Sequence, residues 1–253
     1  VSGAVERWAY TAEGQLASHV AASGIETRYE YGLRGELVAE VDSTGAATRY
    51  AYDAAGNLES VIDALGHVAS YVYDPSGNVT SITDALGNKT TYAYDARGLL
   101  ASAVDADGFA QAYAYDGEGN LVEHTDGAGA ITRYEYDGAG RCISITDALG
   151  HITQMAYDAE GQLVAMMNAD GTTEAFEYDQ MGNLARATDE LGAQTRYSYD
   201  VHGNCILQAD ALGNQTSYAF DLADNLISRT DGRGSTWSFG YDAAGRMTSA
   251  QTP

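Results

Sequence analysis

The residues of this sequence with chemical potential are five histidines, two cysteines and a dense set of aspartates. His19, His67, His124, His151 and His202 are candidates for acid–base catalysis, Cys142 and Cys205 for a disulfide, and the aspartates of recurring Asp-x-x-Gly tetrads for oxygen ligands of calcium. Each reading demands a particular convergence. Catalysis needs a nucleophile, a base and an orienting group around one cleft, and calcium wants about six to eight oxygens on one point. Whether the chain meets those demands depends on where the backbone sends these residues.

The backbone is periodic. Tyr10, Tyr31, Tyr52, Tyr73, Tyr94, Tyr115, Tyr136, Tyr157, Tyr178, Tyr199, Phe220 and Tyr241 follow one another at intervals of 21 residues without insertion or deletion. Residues 52–72, YDAAGNLESVIDALGHVASYV, show the unit. It carries two turn signals, Asp53 to Gly56 and Asp63 to Gly66, the first returning at Asp74 to Gly77. Asp at the first position accepts bonds from turn amides, and Gly at the fourth supplies a positive φ. Thr11, Gly32 and Ala21 replace turn aspartates, Leu99 replaces the usual Asn, and Asp224 stands where the repeat has Gly.

Between the turns lie short runs rich in β-branched and aromatic residues, such as LESVI after Leu58 and VASYVY through Tyr71 to Tyr73. They read as strands, and period two places Tyr92 with Tyr94, Tyr113 with Tyr115, and Tyr134 with Tyr136 on one face. The fold class is therefore all-β: one array, spanning residues 1–253, of about twelve 21-residue units of antiparallel β-hairpins. About 24 strands are too many for a flat sheet, so a long, curved or spiralling sheet is expected, with two free edges. An odd period would flip the tyrosines to the opposite face at each repeat unless one turn absorbs a residue, which a type I turn closed by a positive-φ Gly bulge does. Which of the two turns does so is open. The broken units at both ends suggest a segment of a longer chain.

Periodicity disperses the chemistry. Cys142 and Cys205 share a column otherwise held by Leu58 and its equivalents, three repeats and roughly 29 Å apart at strand spacing, so they read as small apolar residues. His67 and His151 share another column roughly 38 Å apart. One carboxylate per turn, already used as a cap, does not make a calcium site. No catalytic, cofactor-binding or metal residue is assigned. The residues singled out are structural and define the repeat: Tyr52, Asp53, Gly56, Leu58, Asp63, Gly66, Tyr71, Tyr73, Asp74, Gly77, Tyr92, Tyr94, Tyr113, Tyr115, Tyr134 and Tyr136.

The formal charge of −23 repels phosphate backbones, so no nucleic-acid partner is expected. No 18-residue apolar run and no charged-then-apolar leader occur, so no membrane insertion and no signal peptide are read. The tyrosine columns admit glycan stacking, against the simpler reading that they pack with the Leu and Val columns of their own sheet. Arg28, Arg49, Arg133 and Arg196 form a column expected to pair with neighbouring carboxylates.

Tyr-Asp-x-x-Gly-Asn-Leu followed by Asp-x-x-Gly and a Tyr-x-Tyr-Asp return, from about Tyr10 to Gly245, resembles the YD repeat of the Rhs family. That family comprises bacterial Rhs polymorphic toxins, the shells of insecticidal toxin complexes and teneurins. The resemblance implies a wall segment of a hollow shell, with the rest of that shell and an enclosed C-terminal toxin or cargo domain as partners, and a secreted or cell-surface location. The family's Pro-rich, self-cleaving C-terminal region has no counterpart here, so neither self-cleavage nor toxin activity is implied. An extracellular carbohydrate- or protein-binding, adhesin-like module is the alternative.

Overall fold

The computed structural model describes residues 5–253. Among the described residues there are 24 antiparallel strands and no helix, in chain order β1 (Val5–Tyr10), β2 (Leu16–Val20), β3 (Glu26–Tyr31), β4 (Leu37–Asp42), β5 (Ala47–Tyr52), β6 (Leu58–Ile62), β7 (Val68–Tyr73), β8 (Val79–Thr83) and so on to β24 (Met247–Gln251). Strand limits follow the grammar of the sequence, since most strands run between Asp-x-x-Gly tetrads and stop at the residue before the aspartate.

Both turns of the unit have the same construction. Gly56 donates its amide to the Asp53 carbonyl (3.1 Å) and Asp53 to the Asn57 carbonyl (2.9 Å), while Gly66 and Asp63 repeat the pattern at 3.0 Å each. Gly56 and Gly66 sit at φ +92° and +87°, where a Cβ would be strained. Because both turns close on such a glycine, the glycine is not what corrects the parity of the period. The correction lies three residues further along, in the strand. Arg49, Tyr50 and Ala51 face Ile62, Val61 and Ser60, but Tyr52 faces Leu58, which leaves Glu59 as a bulge on β6. The β6–β7 hairpin is regular, with Ser60 opposite Ser70 and Ile62 opposite Val68. The bulge therefore belongs to the hairpin of the first turn.

Following the ladder shows what the bulge does. Arg49 faces Ile62, which faces Val68, a step of 19 residues across one repeat of 21. The remaining offset of two is even, so each tyrosine stays on its face. It is also a constant stagger of the kind a closing sheet requires.

Closure is what the structure shows. β1 pairs with β24, Val5 facing Gln251 and Arg7 facing Ser249. The expected long, curved or spiralling sheet with two free edges is thereby corrected: the first and last strands satisfy each other's edges.

By contacts the chain divides into two compact units, Tyr29–Gln154 and residues 5–28 with Met155–Pro253. The first contains the unbroken ladder from β4 to β15 (Ile152–Tyr157). The second runs from β16 (Leu163–Met167) through β24, then β1, to β3. Neither has a conventional core. Among the described residues the buried apolar side chains are those of Ala39, Ala47 and Ala103, and no large side chain is fully buried. Cohesion comes from neighbour-to-neighbour contacts along one layer. On β9 (Lys89–Tyr94), Thr90, Tyr92 and Tyr94 are half-buried while Lys89, Thr91 and Ala93 are exposed.

Candidate functional site

The densest chemistry lies along the rim formed by the first turns. Asp53 Oδ1 accepts the Asn57 amide at 2.8 Å, and its Oδ2 accepts Asn57 Nδ2 at 3.0 Å. These bonds, the side-chain one foremost, hold the Asp53 carboxyl below the usual range. Asp74 with Asn78, Asp116 with Asn120 and Asp179 with Asn183 repeat the clasp. Where arginine replaces the asparagine, the clasp survives in charged form: Arg141 donates to Asp137 (2.7 Å) and Arg246 to Asp242 (2.8 Å). At the second turn, Asp63 takes Leu65 and His67 amides on Oδ1, and its Oδ2 lies 2.7 Å from His67 Nδ1. These aspartates are thus engaged in their own turns.

The YD tyrosines link one repeat to the next. Tyr52 donates its hydroxyl to the Leu37 carbonyl (2.9 Å), Tyr73 to Leu58 (2.8 Å), Tyr94 to Val79 (2.8 Å), Tyr115 to Leu100 (3.0 Å) and Tyr136 to Leu121 (2.8 Å). Phe220, lacking a hydroxyl, interrupts the series. The tyrosines two residues earlier pack their rings across the ladder and, where they donate, donate to side chains, Tyr50 to Glu40 (2.9 Å) and Tyr113 to Gln111 (3.0 Å). Tyr71, Tyr92 and Tyr134 face Ile82, Ala103 and Ile145 across the ladder, and Tyr113 stacks on His124 with ring centroids 4.8 Å apart.

Between successive first turns lies a shallow groove. One of about 550 Å³ runs between the Asp53 and Asp74 turns over Tyr71 and Tyr73. Equivalent columns line grooves of about 940 Å³ at Asp116 to Asp137 and about 840 Å³ at Asp158 to Asp179. The largest has Asp116, Glu118, Glu135 and Asp137 on its walls. A groove recurring in the same columns is a property of the repeat, and its field is negative wherever it occurs.

The other candidates stay apart. His19 stacks on Trp8 (4.9 Å) and lies 3.2 Å from Glu6, His151 pairs with Asp147, and His202 with Asp224. Cys142 and Cys205 are not joined in a disulfide, and each thiol donates to a carbonyl of its own strand, Cys142 to Ser144 (3.5 Å) and Cys205 to Leu207 (3.6 Å). Among the described residues no three His, Cys, Asp or Glu side chains are arranged to hold a metal ion. Of the arginine column, Arg28 pairs with Glu26 (2.8 Å) and Arg133 with Glu123 (3.1 Å), whereas Arg196 donates to Gln194 (2.9 Å).

Three features escape the sequence reading. Leu65, Leu149 and Leu191, second-turn residues, are 82%, 81% and 93% exposed. Asp224 is the one described non-glycine residue with positive φ, +62°, and its Oδ1 accepts Asn204 Nδ2 at 2.7 Å and lies 2.8 Å from His202 Nδ1. Its place in a glycine column was the available signal. The third is the β1–β24 pairing, which no local motif encodes.

Residues 15–157 and 70–225 match the family model described as Teneurin YD-shell, and residues 220–253 match the RHS Repeat model. No curated protein matches the sequence. Among solved structures the chain is similar to TcdB2-TccC3 (TM-score 0.54) and to TcdB2-TccC3-TEV (TM-score 0.53), each at 16% identity over 98% of this chain and 18% of that one. The Photorhabdus luminescens Tc holotoxin pore matches at TM-score 0.51 with the same identity and coverage. At that identity the likeness is one of fold. The chain spans 18% of the length of these structures.

Proposed function

The chain belongs to the Teneurin YD-shell family, and from that premise we propose that it is a structural wall, one segment of an Rhs-type shell that encloses a C-terminal toxin or cargo domain. It acts by exclusion and performs no catalysis. The observation that supports this reading most is the use to which its polar groups are put: turn carboxylates cap their own turns and tyrosyl hydroxyls bind the preceding repeat. Side chains arranged in columns give every repeat the same local chemistry and concentrate none of it. The partners on this reading are the remainder of the shell and its cargo, and the location is secreted or cell-surface.

Limited proteolysis of the longer polypeptide carrying this array tests the proposal. A downstream domain should resist cleavage while the array is folded and become sensitive once the array is unfolded. Equal rates of cleavage in both states contradict it.

One observation favours a second reading, a carbohydrate- or protein-binding module: the grooves floored by Tyr71 and Tyr73 with carboxylate walls. Glycan-array binding that disappears in Tyr71→Ala would support it, and absence of binding would remove it.

A further inference from the structure

Wherever a strand of the β6 kind runs into one of the β7 kind, an Asp-x-x-Gly tetrad or its variant joins them. The same pairing occurs once without a turn. Ser249 faces Arg7, Ala250 faces Glu6 and Gln251 faces Val5. Adding nine repeats (9 × 21 = 189) to Ser60 and Ser70 gives 249 and 259, and 259 − 252 is 7. The seam thus reproduces the hairpin register. It also reproduces the tyrosyl bond: Tyr10 donates to the Met247 carbonyl at 2.8 Å, equivalent to Tyr73 on Leu58. The Arg246 guanidinium adds a cation–π contact, its Cζ 4.5 Å from the Tyr10 ring centroid.

We propose that this seam is a strand-exchange interface, in which the β24 edge of one copy of the chain receives β1 of a second copy in the same register. Every contact across the seam is available to β1 of another copy, which keeps its own hairpin with β2, since the ladder pairs, the Tyr10 bond and the Arg246 contact lie between β1 and the β24 end of the chain. What favours the chain's own strand is only its tether, which sets an effective concentration that a second copy matches at sufficient density. Hairpins joined by a turn have no such competitor, because their partner strand is covalently adjacent.

Two single-cysteine chains test this, each in a background in which the native thiols take the leucine of their column, C142L and C205L. One carries Glu6→Cys and the other Ala250→Cys, residues that face each other across the seam. Refolded together at high concentration under oxidation, they should form a disulfide-linked heterodimer, and a synthetic peptide of the β1 sequence should suppress it. The double variant E6C/A250C reports on the seam itself, and on dilution its disulfide should become wholly intramolecular. Light scattering of the unaltered chain, refolded at the same concentration, should show dimers. Intramolecular linkage alone at every concentration, with monomers throughout, overturns the proposal, and so does failure of the double variant to cross-link.

Discussion

Tyr73 donates its hydroxyl to the Leu58 carbonyl at 2.8 Å while facing Val79 in the ladder, so one side chain ties together three successive strands, β6, β7 and β8. In a layer without a core, such links do what burial does elsewhere. Tyr73→Phe keeps the ring and removes the bond, and urea unfolding should show a loss of about 1 kcal/mol. Phe220→Tyr is the converse: it supplies the missing hydroxyl opposite the Cys205 carbonyl and should stabilise by a similar amount, about 1 kcal/mol. If both changes prove neutral, the tyrosyl bonds are not what joins the repeats.

The bulge at Glu59 carries the parity of the repeat. The β6–β7 hairpin has no bulge to absorb a change, so deleting Ser70 alone leaves an odd offset and turns every later tyrosine column to the opposite face. Deleting a whole unit of 21 residues leaves the columns aligned. Circular dichroism melts should therefore show severe destabilisation for the one-residue deletion and a folded protein for the larger one. The reverse ranking would contradict the register described above.

Acid should unfold the array through its turns. Asp53, Asp74 and Asp179 are held below their ordinary 3.8 first by the asparagine side-chain bond and then by backbone amides. A lowered folded-state value means that the contribution is present above the unfolded value and is lost as pH falls through the folded one. Neutralising the charge of −23 works the other way, but equivalent carboxylates about 9.6 Å apart are already beyond a Debye length of about 8 Å at physiological salt. Stability should consequently fall below about pH 4. Asn57→Ala should move the acid midpoint upward in a denaturation series.

At alkaline pH the tyrosines set the limit. Burial raises Tyr73, Tyr136 and Tyr241, and burial together with a bond to Glu40 pushes Tyr50 up to about 12. Raised values mean that their contribution is complete below about pH 10 and lost as pH climbs through the folded-state values. Absorbance titration of the tyrosinates should run parallel to unfolding in that range.

His202 gives a local, testable titration. Its pKa is raised chiefly by the bond to Asp224 and then by that residue's charge. The pair therefore stabilises below the ordinary histidine value near 6.5 and loses its effect as pH rises through the folded one. Asp224→Gly relieves the positive φ and removes the partner together, so the His202 NMR titration should shift toward 6.5. An unmoved titration would show that Asp224 is not its cause.

Much of this architecture was legible because it is local. Asp53 and Gly56 announce a turn through the chemistry of a side-chain acceptor and a positive φ, and Thr90, Tyr92 and Tyr94 announce a face through period two. The odd period even required a bulge. Its location at Glu59 was not legible, since that column elsewhere holds ordinary strand residues such as Val38, Thr80, Val122 and Ile143, and both turns carry the same glycine. Sheet closure was hidden for a different reason: whether β1 meets β24 depends on the sum of small staggers over the whole ladder, which no single unit reveals. The carbonyls that receive the tyrosyl hydroxyls were equally invisible, because a backbone acceptor leaves no mark on residue choice at Leu58 or Met247.

The account rests on a ladder that closes as its own repeats do, and hydrogen exchange measures this most directly. Paired amides among residues 5–7 and 249–251 should be protected to a degree similar to those of residues 60–62 and 68–70, which form the corresponding internal hairpin. Exchange at the seam as fast as in an unstructured peptide, with the internal hairpin protected, would contradict closure.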